Sequence, residues 1–215
     1  MKTQILLTLT AIKALILTAS KDSRRPALTG LFVSFETRQP TVIGCDGHVL
    51  LAYKLEFDVA GDTSFLIPSD ALAFISKLPK KKHEQIVGID FDPEAKAVVV
   101  TVEQMSATFE ASDHAHCDFF ILPCMSLDEP SGEPAQFAPA IIAQVAKVVA
   151  LVTGSRDCKA MKIVHNGRSH AAIIDMGGQE DRWYMIAMPK QANPPTCTRT
   201  PDWCRKRIET EVEAA

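Results

Sequence analysis

No Cys-x-x-Cys pair occurs among the six cysteines, at 45, 117, 124, 158, 197 and 204. That absence removes the usual zinc and disulfide frameworks and leaves reduced, mostly buried thiols in a cytoplasmic protein as the default. No apolar run reaches the roughly 18 residues that a membrane span needs. The opening MKTQILLTLTAIKALILTAS resembles a secretory leader, with Lys2 as its basic start. Lys13, however, splits the apolar run that a leader keeps unbroken. A soluble, cytoplasmic chain is expected. Catalytic signatures are missing too: there is no Gly-x-Ser-x-Gly elbow, no phosphate-binding loop and no Gly-rich dinucleotide loop. An excess of one charge is also lacking. The 23 Lys and Arg stand against 26 Asp and Glu, a net of −3, which does not by itself suggest nucleic acid.

Two weaker constellations remain. SDHAHCD (112–118) places His114 and His116 on one face if that stretch is a strand, as a metal pair would require. Spacing supplies no further ligand, so a solvated loop is preferred. A small metal-dependent enzyme stays the least favoured reading, and no cofactor is expected. Asp46 and His48 sit two apart around an Asp-Gly turn, where such neighbours are usually structural. No enzyme is expected.

What is present is a recurring order of elements. TQILLT (3–8) reads as a strand and 9–20 as an amphipathic helix. Strand-like runs follow at 27–36, 40–45 and 48–57. FLIP (65–68) is extended, and Ser69 suits the N-cap of a helix through Leu78. Further strands are expected at 85–91, 96–102 and 105–111. After the LDEPSGEPAQ break, a helix starts near Pro139 and runs to Gly154. Strands at 161–166, 169–176 and 182–189 complete the series. The chain therefore reads as α+β: three units of one helix and three antiparallel strands, with an initial strand clear only in the first two. No unit can bury its apolar face alone, so the units must pair.

Charge follows the helices. Their segments carry Lys13, Lys21, Arg24 and Arg25; then Lys77, Lys80, Lys81 and Lys82; then Lys147, Arg156 and Lys159. These eleven cations meet three acids, whereas the rest of the chain holds twelve cations and 23 acids. If the helices share a face, that face attracts phosphate without reading bases. Helix-end lysines that simply favour the helix dipole are the alternative on charge alone.

Five segments, in order, resemble the bacterial DNA polymerase III beta subunit, the DNA sliding clamp: RRPALTGLFVSFE (24–36), GCDGHVLLAYK (44–54), FLIPSDALAFISKL (65–78), CDFFILP (117–123) and RWYMIAMP (182–189). The resemblance implies a DNA-clamp fold of βαβββ-type units, with a complete domain over 1–124, a half-domain over 125–190 and a tail over 191–215. It implies a processivity factor that contacts or encircles duplex DNA through its helices. It also implies a hydrophobic pocket for short peptides of polymerases or the clamp loader, formed by Leu28, Gly47, His48, Leu50, Ile121, Met188 and Pro189. The departures are Cys45 and Val49 in the Asp-Gly-His signature, the loss of Pro, Asp and Tyr from the 117–123 segment, and a tail that continues past Met188-Pro189 and would emerge beside the pocket. A clamp ring contains twelve such units, so three per chain would need a tetrameric ring. A paralogue that forms no ring and acts as a regulatory binding module is the alternative.

Overall fold

Alternation sets the first strand. In β1 (Thr3–Thr8), Thr3, Ile5 and Leu7 point inward while Gln4 and Leu6 face out. The Thr8 hydroxyl accepts a hydrogen bond from the Ala11 amide at 3.1 Å and so caps α1 (Leu9–Ile16). The computed structural model describes residues 2–35, 39–55, 63–79, 84–112, 135–154, 161–167, 170–179 and 181–190. His114, His116, Ile121, Lys80, Lys81, Lys82, Arg156, Lys159 and the tail from 191 lie outside them.

The order continues as α2 (Pro26–Thr29), β2 (Leu31–Ser34), β3 (Thr41–Cys45), β4 (Val49–Lys54), β5 (Phe65–Ile67), α3 (Ser69–Ser76), β6 (Ile86–Asp92), β7 (Ala97–Val102) and β8 (Met105–Glu110). The third unit supplies α4 (Pro139–Val152), β9 (Lys162–Val164), β10 (Ala172–Asp175) and β11 (Trp183–Ala187). Two expectations shift. Residues 26–29 are a helical turn and not part of a strand, because Pro26 starts the turn and Arg25 O accepts the Leu28 amide at 2.9 Å. Ser69 is the first helical residue and not the cap: the Pro68 carbonyl already accepts the Leu72 amide at 3.1 Å.

The strands form two antiparallel sheets, β1-β6-β7-β8 and β5-β2-β3-β4-β11-β10-β9. Each initial strand has crossed over: β1 lines the second unit's strands, from Thr3↔Phe91 to Thr8↔Ile86, and β5 lines the first unit's. This exchange locks the first two units into one body. The third unit joins by a different device, the edge pairing of β11 with β4. Helix α1 lies between α3 and α4 and packs against both.

The long sheet is apolar on both faces, which explains the unbroken Val49–Tyr53 run. Leu31, Val33, Val42, Val49 and Leu51 join α1, α3 and α4 in the main core. Phe32, Ile43, Leu50, Ala52, Leu66 and Ile186 form a separate buried cluster. Truncating a core side chain such as Leu51 to Ala would cost about 2–5 kcal/mol.

Candidate functional site

The site begins with the Asp46-Gly47 turn between β3 and β4. One Asp46 carboxylate oxygen, Oδ1, accepts the amides of His48 and Val49 at 2.8 and 2.9 Å. Gly47 has φ +92°, a conformation that glycine adopts without the penalty a Cβ brings. A Cβ there would also stand 2.5 Å from Arg25 Nη1, so the guanidinium lies directly beside the turn.

The other carboxylate oxygen, Oδ2, reaches the third unit. It accepts Gln144 Nε2 at 2.9 Å, and the same nitrogen donates to the Leu17 carbonyl at 3.0 Å. Gln144 thus ties α4 to both the end of α1 and the Asp-Gly-His turn. Beyond the turn, β4 and β11 run in register with Val49↔Ala187, Leu50↔Ile186 and Tyr53↔Trp183. The Tyr53 and Trp183 rings lie 4.6 Å apart. The contact continues past the last strand residue: the Met188 amide donates to the His48 carbonyl at 2.6 Å.

Segments about 140 residues apart in sequence therefore meet at one seam. Gly47 and His48 are exposed on it, Met188 is 37% exposed and Pro189 is half-buried. Leu50 is only 3% exposed and belongs to the buried cluster with Ile186. Leu28, half-buried within α2, accepts the Ser20 amide through its carbonyl at 2.8 Å, while its neighbour Ala27 packs on the Leu50 cluster.

The cations divide into two groups. Lys21, Lys77 and Lys147 are exposed, one from each helical segment. Lys21 shares the rim of a cleft of about 500 Å³ with Ser69, Leu72 and Ser76 of α3. The other cations of these segments among the described residues are engaged. Lys13 Nζ donates to the Leu78 carbonyl at 2.7 Å and so ties α1 to the end of α3. Arg24 grips Asp22 through Nε and Nη2 at 2.9 and 3.0 Å. The Arg24 side chain first, then its backbone amide, holds the Asp22 carboxyl below its ordinary range. Arg25 lies 3.6 Å from Asp22 and beside Gly47.

Sequence reasoning gave Gln144 no role. The available signal was that it is the single uncharged polar residue in the apolar helix PAIIAQVAKVVALV. Arg25 was grouped by charge with the helix cations, because charge counting cannot see which turn a side chain reaches. Among the described residues no group of three or more His, Cys, Asp or Glu could hold a metal ion, and no helix is long and apolar enough to cross a membrane.

Solved structures superpose on this arrangement. A DNA polymerase III beta subunit from Eubacterium rectale superposes with a TM-score of 0.65 at 13% identity, covering 88% of this chain and 66% of that one. This is the sliding-clamp fold. The beta subunit of Borrelia burgdorferi, in complex with a natural product, gives 0.62 at 13% identity, over 87% of this chain and 64% of that one. The DNA polymerase sliding clamp of Bacillus subtilis gives 0.60 at 14%, over 88% and 64%. The sequence matches no protein-family model and no curated protein. The chain spans about two thirds of the length of these clamps, and at such identities the likeness is one of fold.

Proposed function

We propose that this chain is a clamp-type processivity platform: its helix layer holds duplex DNA without reading sequence, and the β4–β11 seam tethers replication or repair proteins by short apolar peptides. It does no chemistry of its own. The observation that carries this reading is the seam, where the Met188 amide meets the His48 carbonyl at 2.6 Å and Leu50 faces Ile186. Edge pairing of two sheets leaves a shallow line of exposed backbone and half-exposed apolar side chains at its end. A peptide binds such a line with modest, exchangeable affinity. Gly47 allows its backbone to come close, and the Arg25 guanidinium beside it offers donors to a peptide carbonyl or carboxylate.

Sliding clamps of Pseudomonas aeruginosa and Bartonella birtlesii have been solved bound to griselimycin, which makes that compound a usable probe. In calorimetry with the full chain, griselimycin binds the parent, and Met188→Asp weakens it at least tenfold because a carboxylate replaces an apolar contact. Met188 is exposed enough for the variant to keep the parent's melting temperature. Equal affinity of parent and variant, or no binding to either, would refute the pocket.

A further inference from the structure

We propose that His165 is a pH-sensitive lock: its neutral imidazole fastens the lead-in to α4 onto the end of β9, and protonation releases it. The lead-in is the stretch 135–138, directly ahead of Pro139. The Ala135 amide donates to His165 Nδ1 at 3.0 Å, across 30 residues of sequence. The Phe137 ring lies 6.2 Å from the imidazole. A backbone N–H can only donate. The bond therefore exists only while Nδ1 keeps its lone pair, with the ring proton on Nε2.

The lead-in is also held from the side of the seam. The Lys190 amide donates to the Gln136 carbonyl at 2.7 Å, and the Met188 amide donates to the His48 carbonyl at 2.6 Å. Strand β11 ends at Ala187, so these contacts hold 188–190 beyond the sheet. A backbone relay thus runs from His165 through 135–137 to 188–190 and on to the Asp46-Gly47-His48 turn. When the Ala135 bond is lost, Gln136 is no longer fixed and Lys190 loses its anchor. The joint between the third unit and β4 then loosens at that end.

Histidine is the side chain whose charge ordinarily changes between about pH 5 and 8. Both nitrogens of an imidazolium are donors, so a protonated ring would set N–H against N–H at Ala135. The surroundings offer nothing in exchange. Continuing the β9–β10 register past Val164↔Ile173 sets His165 opposite Ala172, itself opposite Ala187. Ile163 and Ile174 share that face and pack on the core. Lys162 and Asp175 alternate to the other face. Helix α4 brings Lys147 as its one charged residue, the exposed His170 precedes β10, and the exposed Lys190 follows β11. The lead-in itself carries no charge. Among the described residues of these elements no carboxylate shares the face of His165, so an imidazolium gains no ion pair for the bond it loses. This inference is independent of the peptide-site reading.

Amide hydrogen exchange, followed by NMR on the labelled full chain, tests it. In the parent, the protection factors of the Ala135 and Lys190 amides fall at least tenfold between about pH 7.5 and about pH 5.5, across the histidine range. In His165→Asn, Oδ1 takes the place of Nδ1 and accepts without titrating, so the pH dependence of both amides disappears. In His165→Ala the Ala135 amide is unprotected at either pH, with unchanged circular dichroism. A parent whose Ala135 protection ignores pH, or an equal fall in His165→Asn, would overturn the lock. A Lys190 amide that stays protected while Ala135 opens would overturn the relay.

Discussion

Leu50 and Met188 lie close together at the seam, yet a charge has different consequences at each. Leu50 is buried among Phe32, Ile43 and Ile186, so Leu50→Asp would place a carboxylate in the core at a cost of several kcal/mol and unfold the sheet before it informed on binding. Met188 reports on the surface alone. Asp22 is a second residue whose surroundings fix its behaviour. Arg24 bonds its carboxylate in the native turn, so its folded pKa lies below the unfolded one. Whatever this pair adds to the turn is present above the ordinary carboxylate range, near 3.9, and is lost as pH falls through the lowered value. Side-chain NMR should find the Asp22 midpoint below that range, and Arg24→Ala should raise it. An unchanged midpoint in the variant would show that the guanidinium has no hold on the carboxylate in solution. Because the pair is solvent-exposed, global stability should barely respond.

The elements were largely legible because their signals are local. TQILLT, KAVVVTV and MSATFE alternate or run apolar at strand length and are strands. Pro139 opens a helix as an N-terminal proline should. The exchange of β1 and β5 between units was not legible. Alternation fixes which face of a strand is buried and says nothing about which distant strand it joins. The same limit hid Gln144, whose partners lie 98 and 127 residues away. That side chain gives the element scale its test. Gln144→Ala removes two hydrogen bonds, one to a carboxylate, and should cost about 1–3 kcal/mol in urea unfolding. Asp46→Ala removes one of the same bonds along with the turn's amide acceptor. A double-mutant cycle should therefore show coupling of about 0.5–3 kcal/mol. Strict additivity would mean that the Gln144–Asp46 bond contributes nothing in solution.

At the scale of the molecule, α1 packs on both α3 and α4 beside two sheets with exchanged edges, and the proposed function requires the cations of these helical segments to act as one layer. The overall charge of −3 does not express it, because the acids are concentrated outside the helical segments. Lys21, Lys77 and Lys147 are the exposed lysines of those segments among the described residues, Arg24 and Arg25 are exposed but engaged with Asp22, and Lys13 is turned to joining α1 to α3. Such a layer attracts a polyanion through screened, non-directional charge, so affinity must fall with salt and ignore base sequence. The claim on which the functional reading turns is that this layer holds duplex DNA. Its most direct test is fluorescence anisotropy of labelled duplexes of unrelated sequence, titrated with the full chain across a salt series. Binding should be equal for all duplexes, log K should fall linearly with log salt, and Lys147→Ala should make the slope shallower by about one. No binding at low salt, discrimination between sequences, or a slope untouched by Lys147→Ala would contradict it.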